Sequence, residues 1–233
     1  MNEKKQIKIE YFEEIASTND YAKEKRALGE DLIVVAKRQT GGRGTKGRSF
    51  SSQTGGVYLT TLTFYENLSA KESFRIMSGA AVAVCKTLES FGLSPVIKWP
   101  NDIFVNGKKI CGILIENTFS GNNIANSVVG IGVNVSNALP EELKDIATNM
   151  TLVTGKEFSV SEVTEKLISE LLTETDMSEY CARIGYLGKR VHLLIGDERI
   201  PATLLSVDEQ GGLWAEIDGE RKRFTSAEVS VRV

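Results

Sequence analysis

The segment Thr40 to Phe50, TGGRGTKGRSF, places four glycines and three cations in eleven residues. Glycine lets backbone N–H groups approach a ligand closely, and an arginine fork matches phosphate or carboxylate oxygens. Such a segment suits an anion cradle. Gly-rich cationic loops also serve as mobile surface connections, and this stretch alone leaves both readings open. Its spacing is not G-x-x-x-x-G-K-[ST], and a strand rather than a helix is predicted to follow it. An ordinary P-loop NTPase or Rossmann dehydrogenase is therefore disfavoured.

A second unusual stretch is KWPND, residues 98–102: a cation, an indole, a proline, an amide and a carboxylate at a strand end. These are groups that orient and neutralise a polar ligand. Equally, Trp99 can anchor a core while Pro100, Asn101 and Asp102 make a turn. Downstream, Asn106-Gly107 between two apolar runs is a type I′ hairpin signal. That hairpin brings Lys109 back toward Phe104, within reach of a site that Lys98 borders, although lone hairpin lysines are usually solvated.

The elements that must position these groups read as follows. Residues 7–15 alternate as a strand, with Ser17 and Thr18 as N-cap candidates for a short helix after them. Residues 32–37 are a β-branched run feeding the glycine-rich loop, and 56–64 and 127–135 are further strands. A long helix is expected over 69–92, from a capping-box pattern of Ser69 with Glu72 to a terminal Gly92. Helical stretches follow near 140–147 and 159–174. From Tyr186 the texture changes to short alternating strands, read as a β-barrel of roughly 48 residues after a boundary near 176–185.

Composition narrows the class. The chain has 233 residues, 41% hydrophobic and 25% charged, with a net charge of −3. This excludes a general basic field for nucleic acid and a disordered or fibrous chain. Three widely spaced cysteines, Cys85, Cys111 and Cys181, suit reduced thiols and give no disulfide or zinc framework. Without an apolar signal core or an 18-residue apolar window, the expectation is a cytoplasmic protein with no membrane span.

Taken in order, STN (17–19), QTGGRG (39–44), KGR (46–48), KWPND (98–102), KKICGILIE (108–116) and GIGVN (130–134) resemble biotin protein ligase. These motifs span about half the chain, and their joint order is highly specific. The resemblance implies an α+β fold: a mixed central β-sheet with helices on one side, akin to class II aminoacyl-tRNA synthetases. It also implies a small C-terminal SH3-like β-barrel. Residues 1–184 would be the catalytic domain and 185–233 the SH3-like domain.

The reaction implied is ATP-dependent. Biotin's carboxylate attacks the α-phosphate of ATP, and a lysine of a biotin carboxyl carrier domain of an acyl-CoA carboxylase then attacks the biotinoyl-5′-AMP. A carboxylate meeting a polyanion requires cations and backbone donors at the reacting centre. By resemblance, Ser17, Thr18, Asn19 and Gln39 hold the ureido end of biotin, with Gly42 and Arg43 closing over it. Arg43 and Arg48 face the nucleotide, Phe50 stacks on adenine, and Asn101 sits at the adenine. Lys109 meets the biotin carboxyl and the acyl phosphate, Lys98 acts electrostatically, and Asn134 lies near the phosphate or metal. Mg²⁺ would be held mainly through phosphates and water, with no dedicated carboxylate cage.

Two positions depart from the family loop GRGRxGRxW: Thr45 replaces an arginine and Phe50 replaces tryptophan. Thr45 removes a cation that would grip the acyl phosphate, with Lys46 as a possible substitute one position away. Only sixteen residues precede STN, so a monofunctional ligase without specific DNA binding is expected. His192, in the C-terminal region, and Cys111 are read as structural. A lipoate or octanoate ligase or transferase on the same fold, and a non-catalytic biotin or nucleotide sensor, are the competing readings.

Overall fold

Alternation along the strands determines the architecture. The computed structural model describes residues 7–232, the side chains of Lys46, Ser230 and Arg232 excepted. Its first seven strands are β1 (Lys8–Ile15), β2 (Leu32–Gln39), β3 (Gly56–Ser69), β4 (Val96–Lys98), β5 (Asp102–Val105), β6 (Lys108–Ser120) and β7 (Asn123–Asn134). They form one sheet in the order β1-β2-β3-β7-β6-β5-β4, in which β1 and β2 are parallel and all other neighbours antiparallel. The expected mixed central sheet is present.

Because strand side chains alternate between faces, odd-numbered residues such as Ile33, Val35, Leu59, Ile113 and Ile131 share one face and build the main core. The helices are α1 (Thr18–Glu24), α2 (Phe74–Ser90), α3 (Met150–Thr154), α4 (Val160–Leu171) and α5 (Met177–Ala182). Helix α2 covers the main core through Ala80, Ala81, Val84, Cys85 and Leu88, with α4 and α5 packed beside it. The short α1 lies on the opposite face, where Ala22 packs on Leu32, Val34, Leu62 and Val128. On that face the even-numbered positions continue as Thr60, Gly112, Gly130 and Gly132, and the missing side chains leave a cleft beside α1.

Some boundaries differ from expectation. Ser69 accepts from Lys71 N and caps a 3₁₀ turn, Ala70–Glu72, so α2 starts only at Phe74; Gly92, at φ +82°, ends it. The stretch near 140–147 holds only the 3₁₀ turn Glu141–Leu143, and the chain after it pairs with β6 instead, Lys109 N donating to Ile146 O and Lys109 O accepting from Thr148 N, each at 2.9 Å. Helices α3 and α5 carry caps at Asn149 and Asp176 but are too short to show a helical period.

The C-terminal strands are β8 (Arg190–Ile195), β9 (Glu198–Val207), β10 (Leu213–Ile217), β11 (Glu220–Phe224) and β12 (Val229–Arg232). They form an antiparallel sheet in the order β11-β10-β9-β8-β12. Among the described residues no pairing joins β11 to β12, so the expected barrel is an open sheet. The physical reason is the edge itself: Glu220, Arg221, Lys222 and Arg223 of β11 are exposed, a charged border that discourages pairing. The inner side chains of this sheet, among them Leu193, Leu204, Leu213 and Val231, belong to the same core as α2 and the large sheet.

Candidate active site

The cleft is built from its helical end. Ser17, extended at φ −158° and ψ 127°, caps α1 by accepting from Asp20 N at 3.3 Å. This fixes where the helix begins and places Thr18 and Asn19 in its first turn, both buried. At the end of β2, Gln39 Oε1 accepts from Thr18 N (2.8 Å) and Thr18 Oγ1 (3.0 Å), and its Nε2 donates to Ser52 Oγ (2.9 Å). The Thr60 hydroxyl lies 2.8 Å from Thr18 Oγ1 and 2.7 Å from Asn19 Oδ1, while Asn19 Nδ2 donates to Glu116 Oε2 (3.0 Å). Each amide is thereby held in one orientation, so this end offers fixed donors and acceptors to a polar ligand.

Two glycines of GIGVN are required by close approach. A Cβ on Gly130 would lie 2.1 Å from Asn19 Oδ1, and one on Gly132 would lie 2.4 Å from the Phe50 ring. Phe50 thus rests on the strand floor, with its ring edge-on to Tyr58 at 6.5 Å. Gly42 backs the loop from behind, its carbonyl accepting from Phe50 N at 2.9 Å.

At the other end the β5–β6 hairpin turns through Asn106 (φ +50°) and Gly107 (φ +77°), the predicted I′ geometry. Lys109 pairs with Phe104 as the turn requires, and the register then shifts so that Ile103 faces Cys111. Ile110 is therefore a β-bulge. Without it, Lys109 would share a face with Cys111 and Ile113 beneath α2. With it, Lys109 lies beside Gly112 in the cleft, its Nζ 2.5 Å from Asp102 Oδ1. Asn101 is pinned to β6: its Nδ2 donates to Ile113 O at 2.8 Å. Cys111 is fully buried, and burial raises its thiol well above the ordinary range, so it supplies no thiolate here.

The structure brings together most of the expected residues. Ser17, Thr18, Asn19, Gln39, Arg43, Thr45, Phe50, Asn101 and Lys109 line one cleft. Arg43 extends from the glycine-rich loop to Asp20 Oδ2 at 2.8 Å. Arg48 folds back on Thr45, donating to its carbonyl (3.2 Å) and its hydroxyl (3.0 Å). Arg48 and Lys98 line an adjoining groove that shares Thr45, Asn101 and Asp102 with the cleft and reaches Leu194 and Ser226 of the C-terminal region. Lys98 Nζ also stands 4.9 Å over the Phe104 ring. Asn134 lines neither depression: it is buried, with Nδ2 donating to Thr148 O at 3.1 Å and Oδ1 accepting from Asn137. The Lys46 side chain lies outside the described residues. The residues missed were Asp102, quoted only as part of a turn, and Thr60, which looks like any strand threonine.

Residues 11–134 match the Biotin/lipoate A/B protein ligase family, and residues 186–232 match the Biotin protein ligase C terminal domain. The chain belongs to this ligase family.

Relatives agree with the assignment. The ligase is 31% identical to the bifunctional ligase/repressor BirA of Bacillus subtilis (strain 168), over 95% of this chain and 73% of that protein. The biotin protein ligase from Aquifex aeolicus, solved in complex with biotin and ATP, superposes with a TM-score of 0.77 at 31% identity, covering 97% of this chain and 98% of that one. The Leishmania major biotin protein ligase, solved with biotinyl-5-AMP, gives a TM-score of 0.65 at 26% identity, over 94% and 99% of the two chains.

For a metal ion the ligase offers little of its own. Among the described residues no group of three or more His, Cys, Asp or Glu could hold one, and Asp102, the carboxylate lining the cleft, pairs with Lys109 through Oδ1. The donor set fits an ion carried mainly by phosphates and water. No helix of the described residues is long and apolar enough to cross a membrane.

Proposed function

We propose that this chain is a biotin–[biotin carboxyl-carrier protein] ligase, joining biotin to a specific lysine of a biotin carboxyl carrier domain through biotinoyl-5′-AMP, with ATP, bound as its Mg²⁺ complex, converted to AMP and pyrophosphate. The observation that supports it best is one cleft with two chemically distinct ends. The Thr18–Gln39–Asn19–Thr60 network suits a neutral, doubly hydrogen-bonding head group such as a ureido ring. The Lys109–Asp102 pair at the far end suits a carboxylate undergoing activation.

In the first step, the biotin carboxylate oxygen bonds to the α-phosphorus and pyrophosphate leaves. Lys109 offsets the negative charge that two anions bring together, and Mg²⁺ would supply further neutralisation at the phosphates. In the second step, the acceptor amine attacks the acyl carbon and AMP leaves. That amine must lose a proton, and Asp102 is the carboxylate at hand to take it. Phe50, packed against Gly132 and Gly112, offers an aromatic ring for adenine. Three free cysteines fit a reducing cytoplasm.

The family name covers lipoate as well as biotin, so the test includes both. Protein, ATP, Mg²⁺ and an acceptor carrier domain are incubated with labelled biotin or labelled lipoate. Transfer from biotin alone is expected. Transfer from lipoate alone, or tight biotin binding without transfer, overturns the proposal.

A further inference from the structure

The adjoining groove ends on the C-terminal sheet, and one carboxylate there is connected to the KWPND segment by an unbroken chain of contacts. Trp99 is 4% exposed, and its one polar atom, Nε1, donates to Gly211 O at 3.0 Å, 112 residues away. Gly211 has φ +79°, and a Cβ there would lie 2.1 Å from the Phe74 ring, so only glycine can present its carbonyl in this place. The turn that carries Gly211 is shaped by Asp208. Its Oδ1 accepts from Gln210 N (3.0 Å), Gly212 N (2.8 Å) and an Arg223 guanidinium N–H (3.1 Å). Its Oδ2 accepts from Trp214 Nε1 (3.1 Å) and Arg223 Nε (2.6 Å). These bonds, led by that from Arg223, hold the Asp208 carboxyl down at a pKa of about 2.

From Trp99 the path continues to the chemistry. The Pro100 carbonyl accepts from Tyr180 Oη at 2.9 Å, Asn101 is bonded to Ile113 in both directions, and Asp102 holds Lys109. We infer that Asp208 is a positioning residue for the reacting centre: it sets the Gly211 carbonyl, which sets Trp99, which sets the Asp102–Lys109 pair. This rests on the ligase reading above. The ureido end, built on α1 and β2, is outside the path.

The test is a double-variant cycle of Asp208→Ala and Trp99→Phe in the full chain, read by steady-state biotin ligation. Each single variant is expected to lower kcat about 10- to 100-fold, the scale on which a small misplacement acts, with KM for biotin within about twofold. The double variant should be no worse than the weaker single, because both cut one connection. Asp208→Asn, which keeps the oxygen that binds Gln210 N and Gly212 N, should recover most of kcat. Multiplying losses, an unchanged kcat in a folded Asp208→Ala, or a raised KM with kcat intact overturns the inference. Where Asp208→Ala does not fold, Trp99→Phe and Asp208→Asn carry the test. In a Trp214→Phe background Trp99 is the sole tryptophan, and Asp208→Ala should red-shift its emission. That readout needs no ligation, so a wild-type protein that transfers no biotin overturns the functional proposal, while an unmoved emission overturns this one.

Discussion

Lys109 and Asp102 meet at 2.5 Å across a two-residue hairpin, and a bulge at Ile110 is what lets them meet on the cleft face. A substrate carboxylate arriving at Lys109 therefore shares the cation with a resident carboxylate. Removing the cation leaves two anions facing each other.

Lys109→Met is accordingly expected to slow adenylate formation by about 10²- to 10³-fold, the loss typical of one preorganised donor at a charge-developing centre. Pyrophosphate release in a single turnover measures it, and a rate within twofold of wild type would remove Lys109 from the chemistry.

Asp102→Asn should act differently. Transfer from preformed biotinoyl-5′-AMP is expected to slow at pH 7 and to approach the wild-type rate only as pH nears about 10, the ordinary range of a lysine amine. Raising pH deprotonates the acceptor amine without help, which is the sense required if Asp102 is the base. A defect of equal size at both pH values argues for a purely steric role.

Gly130→Ala would drive a methyl group into Asn19 Oδ1, 2.1 Å away, and displace an amide held by Thr60 and Glu116. Biotin affinity is expected to fall about tenfold or more, as when a hydrogen bond is lost in a buried network. Calorimetric titration with biotin alone checks it; unaltered affinity would place the ureido site elsewhere.

Thr45→Arg restores a cation at a position shared by the cleft and the adjoining groove, and removes the hydroxyl that Arg48 holds at 3.0 Å. One charge-assisted hydrogen bond is worth about 1.5 to 3 kcal/mol, so dissociation of biotinoyl-5′-AMP should slow about tenfold or more. Equal off-rates in wild type and variant would show that residue 45 does not govern retention.

What was legible in the sequence was local. The I′ turn at Asn106-Gly107, the cap at Ser17 and the strand runs of β2, β3 and β7 each follow from a few neighbouring residues, and each forms as expected. The Lys109–Phe104 pairing followed from the turn alone. The bulge that aims Lys109 has no such signature, because Ile110 is an ordinary strand residue whose extra place is set by pairing with β5 and by the segment at Ile146 and Thr148. Thr60 and Glu116 became site residues only when β3 and β6 came within reach of α1. Asn134 went the other way: the loop after β7 folds over it and consumes its amide.

The side chains inside the C-terminal sheet belong to the same core as those beneath α2. The two sheets are therefore not interchangeable cassettes. Cutting the chain near residue 185 would uncover apolar surface on both pieces rather than release two finished modules, and the whole protein should melt in a single calorimetric transition. Two separated transitions would show that the seam is weaker than its packing implies. In engineering terms the C-terminal sheet is a wall of the same room, and replacing it means rebuilding the wall it leans on.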